Sequence, residues 1–194
     1  TYHPDEAPLD VLSSILSGDK SSIFYQNFVK SQEAQFAYVA NPCEELAGSF
    51  IIMVRTFPDK NLTQMDSLVR ASLVEFEKRG VTDDDLIKYK ASFEADMIHS
   101  LESVKGKGTM LAAYQTFKQN PNYITKDITR YNAVKKQDVM RVYEKYIKNK
   151  HAVILSVCPK GMPNKAAKPD DYTPPTRNVN TPEAAEYKNL AYTK

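Results

Sequence analysis

The residue types that hold a catalytic metal are sparse in this chain of 194 residues, which has three histidines and two cysteines. Neither H-E-x-x-H nor its inverse H-x-x-E-H occurs. His3 and Glu6 give H-x-x-E, but Ala7 stands where the second histidine would be. Pro4 and Pro8 flank the pair and keep it out of a helix interior that would aim both side chains at one ion. Because a zinc site needs three or four ligands, we predict a solvated loop here and no metal role for His3.

The other motifs that carry chemistry are incomplete as well. The chain has no phosphate-binding G-x-x-x-x-G-K-[ST] and no G-x-S-x-G elbow. Gly106 and Gly108 are predicted to punctuate a joint between two helices, and the acidic run 83–85 to cap a helix. His99 and His151 are interpreted as ordinary surface or half-buried residues. The sequence therefore predicts no catalytic, metal-binding or cofactor-binding residue, and it leaves the redox state of Cys43 and Cys158 open.

The most basic stretch, residues 135–150, interleaves lysines and an arginine with Tyr143 and Tyr146. Such a pattern can form a nucleic-acid face. The two tyrosines also share an apolar stripe with Val139 and Val142, so we favour a core role. The formal net charge of +2 agrees with this, since it excludes a strongly basic nucleic-acid protein. No nucleic-acid partner is predicted, and a binding module that uses this face is kept as an alternative.

Apolar periodicity predicts the elements that would position any site. The composition, 42% apolar and 26% charged, is that of a globular protein, and apolar runs such as FIIMV are too short to span a membrane. A strand is indicated by alternating apolar and polar residues or by a short, wholly apolar run. A helix is indicated by apolar residues that repeat every three to four positions. The predicted order is a helix over 9–16 ended by Gly18, a helix from Ser21, strands at 35–40 and 49–57, a helix from Leu62 to Gly80, a helix from Thr82 to about Ser103, the joint 105–108, helices at 109–118, 123–132 and 136–148, and a strand at 152–157.

Strands and helices are segregated along the chain, which predicts an α+β fold with helices on one face of a mostly antiparallel sheet. Three strands make a thin sheet, so we expect a strand upstream of Thr1 or completion of the sheet elsewhere. A bare sheet edge invites pairing, and a sheet-edge homodimer is one such completion. Residues 1–158 are predicted to be the folded unit. Residues 159–194 are predicted to be a proline-rich linker with a short helix over 182–191.

Several stretches, taken in order, resemble the pitrilysin/insulinase family of zinc peptidases, the inverted zincins. The similar stretches are LDVLSSILSG at 9–18, SSIFY at 21–25, QFAYV at 35–39, AGSF at 47–50, GVTDDDL at 80–86 with Lys90, LES at 101–103 with Gly106, residues 130–146 around Arg130 and Asp138, and PKG at 159–161. The likeness covers about residues 4 to 160. Ile23 stands where the family usually has Arg, and residues 40–46 lack an Arg and a Tyr that the family's second half carries.

The resemblance implies a two-layer sandwich that follows a catalytic unit in the first half of such a peptidase. By this resemblance the chain is an excised non-catalytic subdomain, a metallopeptidase-like core unit that lines the chamber wall and supports the catalytic unit. Its partners would be that unit, the second half of the parent and the parent's peptide substrates. Zinc would lie in the parent and no cofactor in this segment. The alternative is a catalytically inactive family member that acts as a structural or assembly subunit. The compartment is not predicted.

Overall fold

The computed structural model describes residues 1–162, 165–169 and 172–176, and its helices outnumber its strands. Two strands form within this part of the chain, β1 (Ala34–Ala40) and β2 (Ile51–Thr56). The α-helices are α1 (Glu6–Ser17), α2 (Leu62–Arg79), α3 (Asp83–Ser100), α4 (Val104–Lys118), α5 (Ile124–Asn132) and α6 (Lys136–Tyr146). A π-helical segment, Tyr25–Lys30, takes the place of the second predicted helix. The α+β class is confirmed.

The two strands pair as an antiparallel hairpin with a slip in register between Ala34 and Phe36. Tyr38 lies opposite Met53, and Val39 lies opposite Ile52. The outer edge of β1 is covered, because the Ser17 hydroxyl accepts from the Val39 N–H at 2.7 Å and donates to the Val39 carbonyl at 3.3 Å. These two hydrogen bonds tie the last residue of α1 to the edge of the sheet.

The core lies where α1 and α6 pack against each other and against the helix-side face of the sheet. Apolar residues at helical spacing give α1 one buried face, as the periodicity predicts. Phe24 and Phe28 of the π-helical region fill the space beside it, with ring centroids 5.2 Å apart. Among the described residues, the largest fully buried apolar side chains are Val11, Leu12, Leu16, Phe24, Phe28, Phe76, Val139 and Val142.

The predicted boundaries between α2 and α3 are confirmed by their caps. Gly80 ends α2 at a φ of 69°, a left-handed conformation that glycine adopts without a steric penalty. Thr82 then starts α3 with a capping box, its hydroxyl accepting from the Asp85 N–H while the Asp85 carboxylate accepts from the Thr82 N–H. Capping thus explains the acidic run, since a carboxylate also suits the positive end of the helix dipole.

The predicted glycine joint at 105–108 is wrong. Ser103 caps α4 by accepting from the Gly106 N–H, so both glycines lie in the first turns of that helix and the joint is shorter, at 101–103. A Cβ at Gly106 would come within 2.0 Å of the Ser100 carbonyl oxygen, so glycine is required where the chain turns back on α3. The sequence marked the turn correctly but placed it a few residues late.

The predicted strand at 152–157 is also wrong for the described part of the chain. Residues 151–158 have no regular secondary structure, and their backbone groups bond to no strand described here. A β-strand requires a neighbour that accepts its ladder bonds, and local β-propensity cannot supply one. The predicted helix over 182–191 lies outside the described residues. No helix among the described residues is long and apolar enough to cross a membrane.

Candidate functional site

Charged side chains gather where the N-terminal segment meets α5 and α6. Asp5 has a side chain only 5% exposed, yet it accepts from Arg141 at 2.6 Å and from Lys145 and Tyr146 at 2.7 Å each. Burial alone would raise the pKa of Asp5, but the hydrogen bonds from Lys145, Tyr146 and Arg141 outweigh it and hold this pKa well below its usual value. Asp5 therefore stays ionised and ties the chain start to α6.

A second buried group lies beside it and joins α1 to α5. Arg130 donates to Glu6 at 2.7 Å and to Asp127 at 2.7 Å, and Asp127 accepts from the Tyr114 hydroxyl at 3.0 Å. Burial acts to lower the pKa of Arg130, but the hydrogen bonds to the two carboxylates raise it overall. The guanidinium also lies 5.3 Å from the Tyr2 ring centroid, which adds a cation–π contact.

The third member of this network is Asp10, a half-buried residue of α1. Its carboxylate accepts from the Tyr131 hydroxyl at 2.6 Å and from the Asn41 amide at 2.9 Å. Burial raises the pKa of Asp10, and these two hydrogen bonds counter part of the rise. Burial and the adjacent carboxylate raise the pKa of Tyr131 as well. We call Asp5, Glu6, Asp10, Asp127 and Arg130, with their donors, the polar network.

The polar network has the chemistry of a structural clamp. Each of its carboxylates already accepts from a cation, a tyrosine or an amide, so it presents no unoccupied pair of oxygens to a ligand. Within the described residues every buried side-chain nitrogen or oxygen has a partner. In the same part of the chain no group of three or more His, Cys, Asp or Glu could hold a metal ion.

The histidines considered as ligands lie apart. His3 is exposed and its Nδ1 accepts from the Asp5 N–H at 3.1 Å, His99 pairs with Glu102, and His151 is exposed. Glu6, expected in a solvated loop, is instead the buried first residue of α1. That expectation is wrong because Arg130, remote in sequence, compensates the buried charge. Cys43 and Cys158 are free thiols.

The basic stretch is largely committed to ion pairs within the chain. Arg141 and Lys145 bind Asp5, Lys136 binds Asp83, and Lys148 binds Glu77. Tyr143 is buried and its ring meets Phe76 edge-on at 5.1 Å, so its predicted core role is confirmed. Tyr146 is exposed and bonds Asp5 through its hydroxyl, so its predicted core role is wrong. Cations paired in this way are poorly placed to bind a polyanion.

Sequence reasoning missed the polar network. Asp5 and Glu6 lie more than a hundred residues from the arginines that pair with them, Arg141 and Arg130, and no spacing rule joins them. One local signal was present: Asp127 and Arg130 stand three positions apart on a helix, where opposite charges pair. Their common burial with Glu6 follows only from packing.

Two apolar surfaces complete the candidate regions. The face of the hairpin that points away from the helices exposes Phe36, Tyr38, Ile51 and Met53, which we call the outer sheet face. A groove of about 230 Å³ between α4 and the start of α5 is lined mainly by apolar side chains such as Met110 and Leu111. Neither surface gathers several polar groups at one point, as a catalytic pocket does.

The chain is similar to known proteins in both sequence and fold. Residues 1–93 match the sequence model of the Peptidase M16 inactive domain. No curated protein matches the chain. A protease structure from Helicobacter pylori superposes with a TM-score of 0.67 at 27% identity, covering 76% of this chain and 36% of that one. The chain thus spans about a third of the length of that protease.

Two further structures share the fold at lower identity. The inactive peptidase domain of a protein assigned as a zinc protease in Bordetella parapertussis gives a TM-score of 0.68 at 16% identity, covering 76% of this chain and 80% of that one. The peptidase M16 inactive domain from Pseudomonas fluorescens gives a TM-score of 0.58 at 16% identity, and the match covers 75% of this chain and 35% of that one. At this identity the likeness establishes the fold, and the two-layer α+β architecture is common to all three relatives.

Proposed function

We propose that this chain, whose residues 1–93 match the model of the Peptidase M16 inactive domain, serves as a non-catalytic unit of a larger zinc peptidase. The observation that carries the proposal is the family match over residues 1–93, joined to the fold shared with the H. pylori protease over 76% of this chain. Hydrolysis of peptides would be the work of the parent's catalytic unit, where a zinc ion would polarise the peptide carbonyl and activate water.

The role proposed for this chain is to form part of the wall of the parent's substrate chamber and to support the catalytic unit. Its partners are then that unit, the second half of the parent and, through the chamber, the peptide substrates. Support for this comes from the outer sheet face, where Phe36, Tyr38, Ile51 and Met53 are exposed side by side. Apolar rows of this kind mark surfaces that other protein surfaces cover. We propose further that no residue of this chain binds metal or acts catalytically.

The domain organisation proposed is a folded unit over residues 1–158 followed by a linker over 159–194 that contains a helix at 182–191. The start of the linker touches the body, since the Ala167 carbonyl accepts from Thr63 at 3.2 Å and Lys165 donates to the Pro58 carbonyl at 3.3 Å. These contacts support an exit path beside the turn that joins β2 to α2.

Zinc content and peptide cleavage test the proposal. After dialysis against zinc and then against buffer, metal analysis of the isolated chain is expected to give far less than one zinc per chain, and peptide libraries are expected to stay intact. The parent protein is expected to bind zinc, to cleave peptides and to lose cleavage with a chelator. Zinc bound tightly and stoichiometrically by the isolated chain would overturn the proposal.

The same measurements decide between an active and an inactive parent. A parent that holds no zinc and cleaves nothing, while still assembling with this chain, would contradict the peptidase role and assign the chain to a structural or assembly subunit. Pairing of the isolated chain with a second copy through a sheet edge is also proposed, and the oligomeric state of the isolated chain tests it.

A further inference from the structure

The outer sheet face carries one cation beside its apolar side chains. Alternation along β2 puts Arg55 on the same side of the sheet as Ile51 and Met53, and the register sets it opposite Phe36. Arg55 is exposed, and among the described residues no carboxylate pairs with its guanidinium. A ligand carboxylate can therefore bind this guanidinium without displacing a contact inside the chain.

A second polar group on this face also lacks a partner. The Tyr38 hydroxyl forms no hydrogen bond within the described part of the chain, and the residue is 52% exposed. Tyr38 lies opposite Met53, so Arg55 is its diagonal neighbour on the other strand. Diagonal neighbours are roughly 7–8 Å apart, a separation that long side chains can span. Both donors can therefore reach one carboxylate at this end of the apolar row.

The rest of the face carries no charge that would oppose an anion. Arg55 is the one charged residue of the paired stretches 36–40 and 51–55. A strand that pairs beside β2, such as the one expected upstream of Thr1, would extend the sheet sideways. It would leave this face as it is, because side chains stand perpendicular to the plane of the sheet.

We propose that the outer sheet face binds an extended segment of peptide substrate in which an acidic residue stands two positions from an apolar one. The apolar side chain packs on Tyr38 and Met53, and the carboxylate accepts from Arg55. The spacing follows from β2, since Met53 and Arg55 are two residues apart and an extended peptide has the same period. The inference rests on the proposed place of this face in the wall of the parent's chamber.

Fluorescence anisotropy with labelled, end-blocked peptides tests the spacing on this chain. When extended, EALALAE has its glutamates on the same side as its leucines, whereas AELALEA, of equal composition, has them on the opposite side. We expect EALALAE to bind about two- to fivefold more tightly, the effect of one solvent-exposed ion pair, and to lose this advantage at high salt. Equal binding of the two peptides, or binding of neither, would overturn the inference.

Charge reversal at Arg55 tests the group that reads the carboxylate. Arg55→Glu is expected to reverse the order of the two peptides, because the new carboxylate repels glutamates on the leucine side. The matched control is Lys78→Glu, which makes a comparable change of charge at an exposed residue of α2, in the helical layer. If the control alters the ratio of the two affinities as much as Arg55→Glu does, the preference comes from overall charge and the inference fails.

The parent separates this inference from the proposed function. Arg55→Glu is expected to lower kcat/KM by about two- to fivefold for substrates that contain the apolar-x-acidic segment. For matched substrates with glutamine in place of the acidic residue, kcat/KM should stay unchanged. A parent that cleaves both kinds of substrate equally well contradicts the inference and leaves the peptidase role standing. A parent that cleaves nothing contradicts the peptidase role, whereas a preference of this chain for EALALAE would still support the peptide site.

Thiol labelling shows whether the face is open in the parent. With Cys43 and Cys158 replaced by serine, Met53→Cys is expected to react with a water-soluble maleimide in the folded parent, and excess EALALAE is expected to slow the reaction. If the thiol does not react until the parent is unfolded, another part of the parent covers this face and the inference fails.

Discussion

Helices α1 and α3 both repeat apolar residues at helical spacing, yet they have different environments. Seven of the twelve residues of α1 are buried, whereas none of the eighteen residues of α3, all of them described, is fully buried. α1 is enclosed by the sheet, α3, α5 and α6, while α3 leaves Ile87 and Ile98 exposed. An apolar stripe therefore shows which face of a helix can be buried, and the neighbours decide how deeply.

This contrast predicts a molecule whose stability is concentrated in one layer. The core around α1 and α6 combines close packing with the polar network. Helices α3 and α4, which we call the arm, contribute only one buried side chain, Tyr114. An arm of this kind opens at lower free energy than the core. The following substitutions test the contrast, from the largest expected effect to the smallest.

Phe76→Ala is expected to destabilise the fold most, by about 3–5 kcal/mol, because it empties a fully buried site and removes the edge-on contact with Tyr143. The free energy of unfolding from urea titration measures the loss. Ile87→Ala, on the exposed side of α3, is the control and should change the free energy by less than about 0.5 kcal/mol. Equal losses in the two variants would contradict the contrast between the layers.

Arg130→Met is expected to cost about 3 kcal/mol, because it keeps the side-chain volume but leaves Glu6 and Asp127 buried without a cation. The matched control is Arg70→Met. Arg70 pairs with Asp66 at an exposed position, where an ion pair contributes about 0–1 kcal/mol. A loss no larger than that of the control would show that the buried pair does not fasten α1 to α5.

Asp5→Asn is expected to lower the free energy of unfolding at neutral pH by about 1–2 kcal/mol, since Arg141 and Lys145 are half exposed and solvent screens their pairing. The folded-state pKa of Asp5 lies below its ordinary value of 3.8. Its stabilisation is therefore complete above that value and is lost as the pH falls through the lowered pKa. Urea titrations between neutral pH and strong acid should show the two proteins converging, and a constant gap would contradict this role.

Phe93→Ala is expected to have the smallest effect, about 1 kcal/mol, because the ring, which stacks on Tyr131 with centroids 4.0 Å apart, packs at the margin of the core and is already partly exposed to solvent. Amide hydrogen exchange should rise in α3 and stay unchanged in α1. Ile98→Ala, on the exposed side of α3, is the matched control. Faster exchange throughout α1 would show that the arm and the core unfold as one unit.

Much of the fold could be predicted because its signals are local. Gly80 and Thr82 mark a helix end and a helix start through their own backbone and hydroxyl chemistry, and the structure confirms both. The candidate site could not be predicted in this way. Asp5 meets Arg141 across more than a hundred residues, and Tyr146 leaves its apolar stripe to bond the same carboxylate.

The amino-acid sequence by itself determined the helical periodicities, the caps, the hairpin and the family resemblance, because each depends on residues close together in the chain. Only the tertiary structure decided which charges are buried together and whether AVILSV at 152–157 becomes a strand. Burial of a charge depends on a remote counter-charge, and a strand depends on a neighbour that accepts its hydrogen bonds. Neither partner is encoded in the segment that needs it.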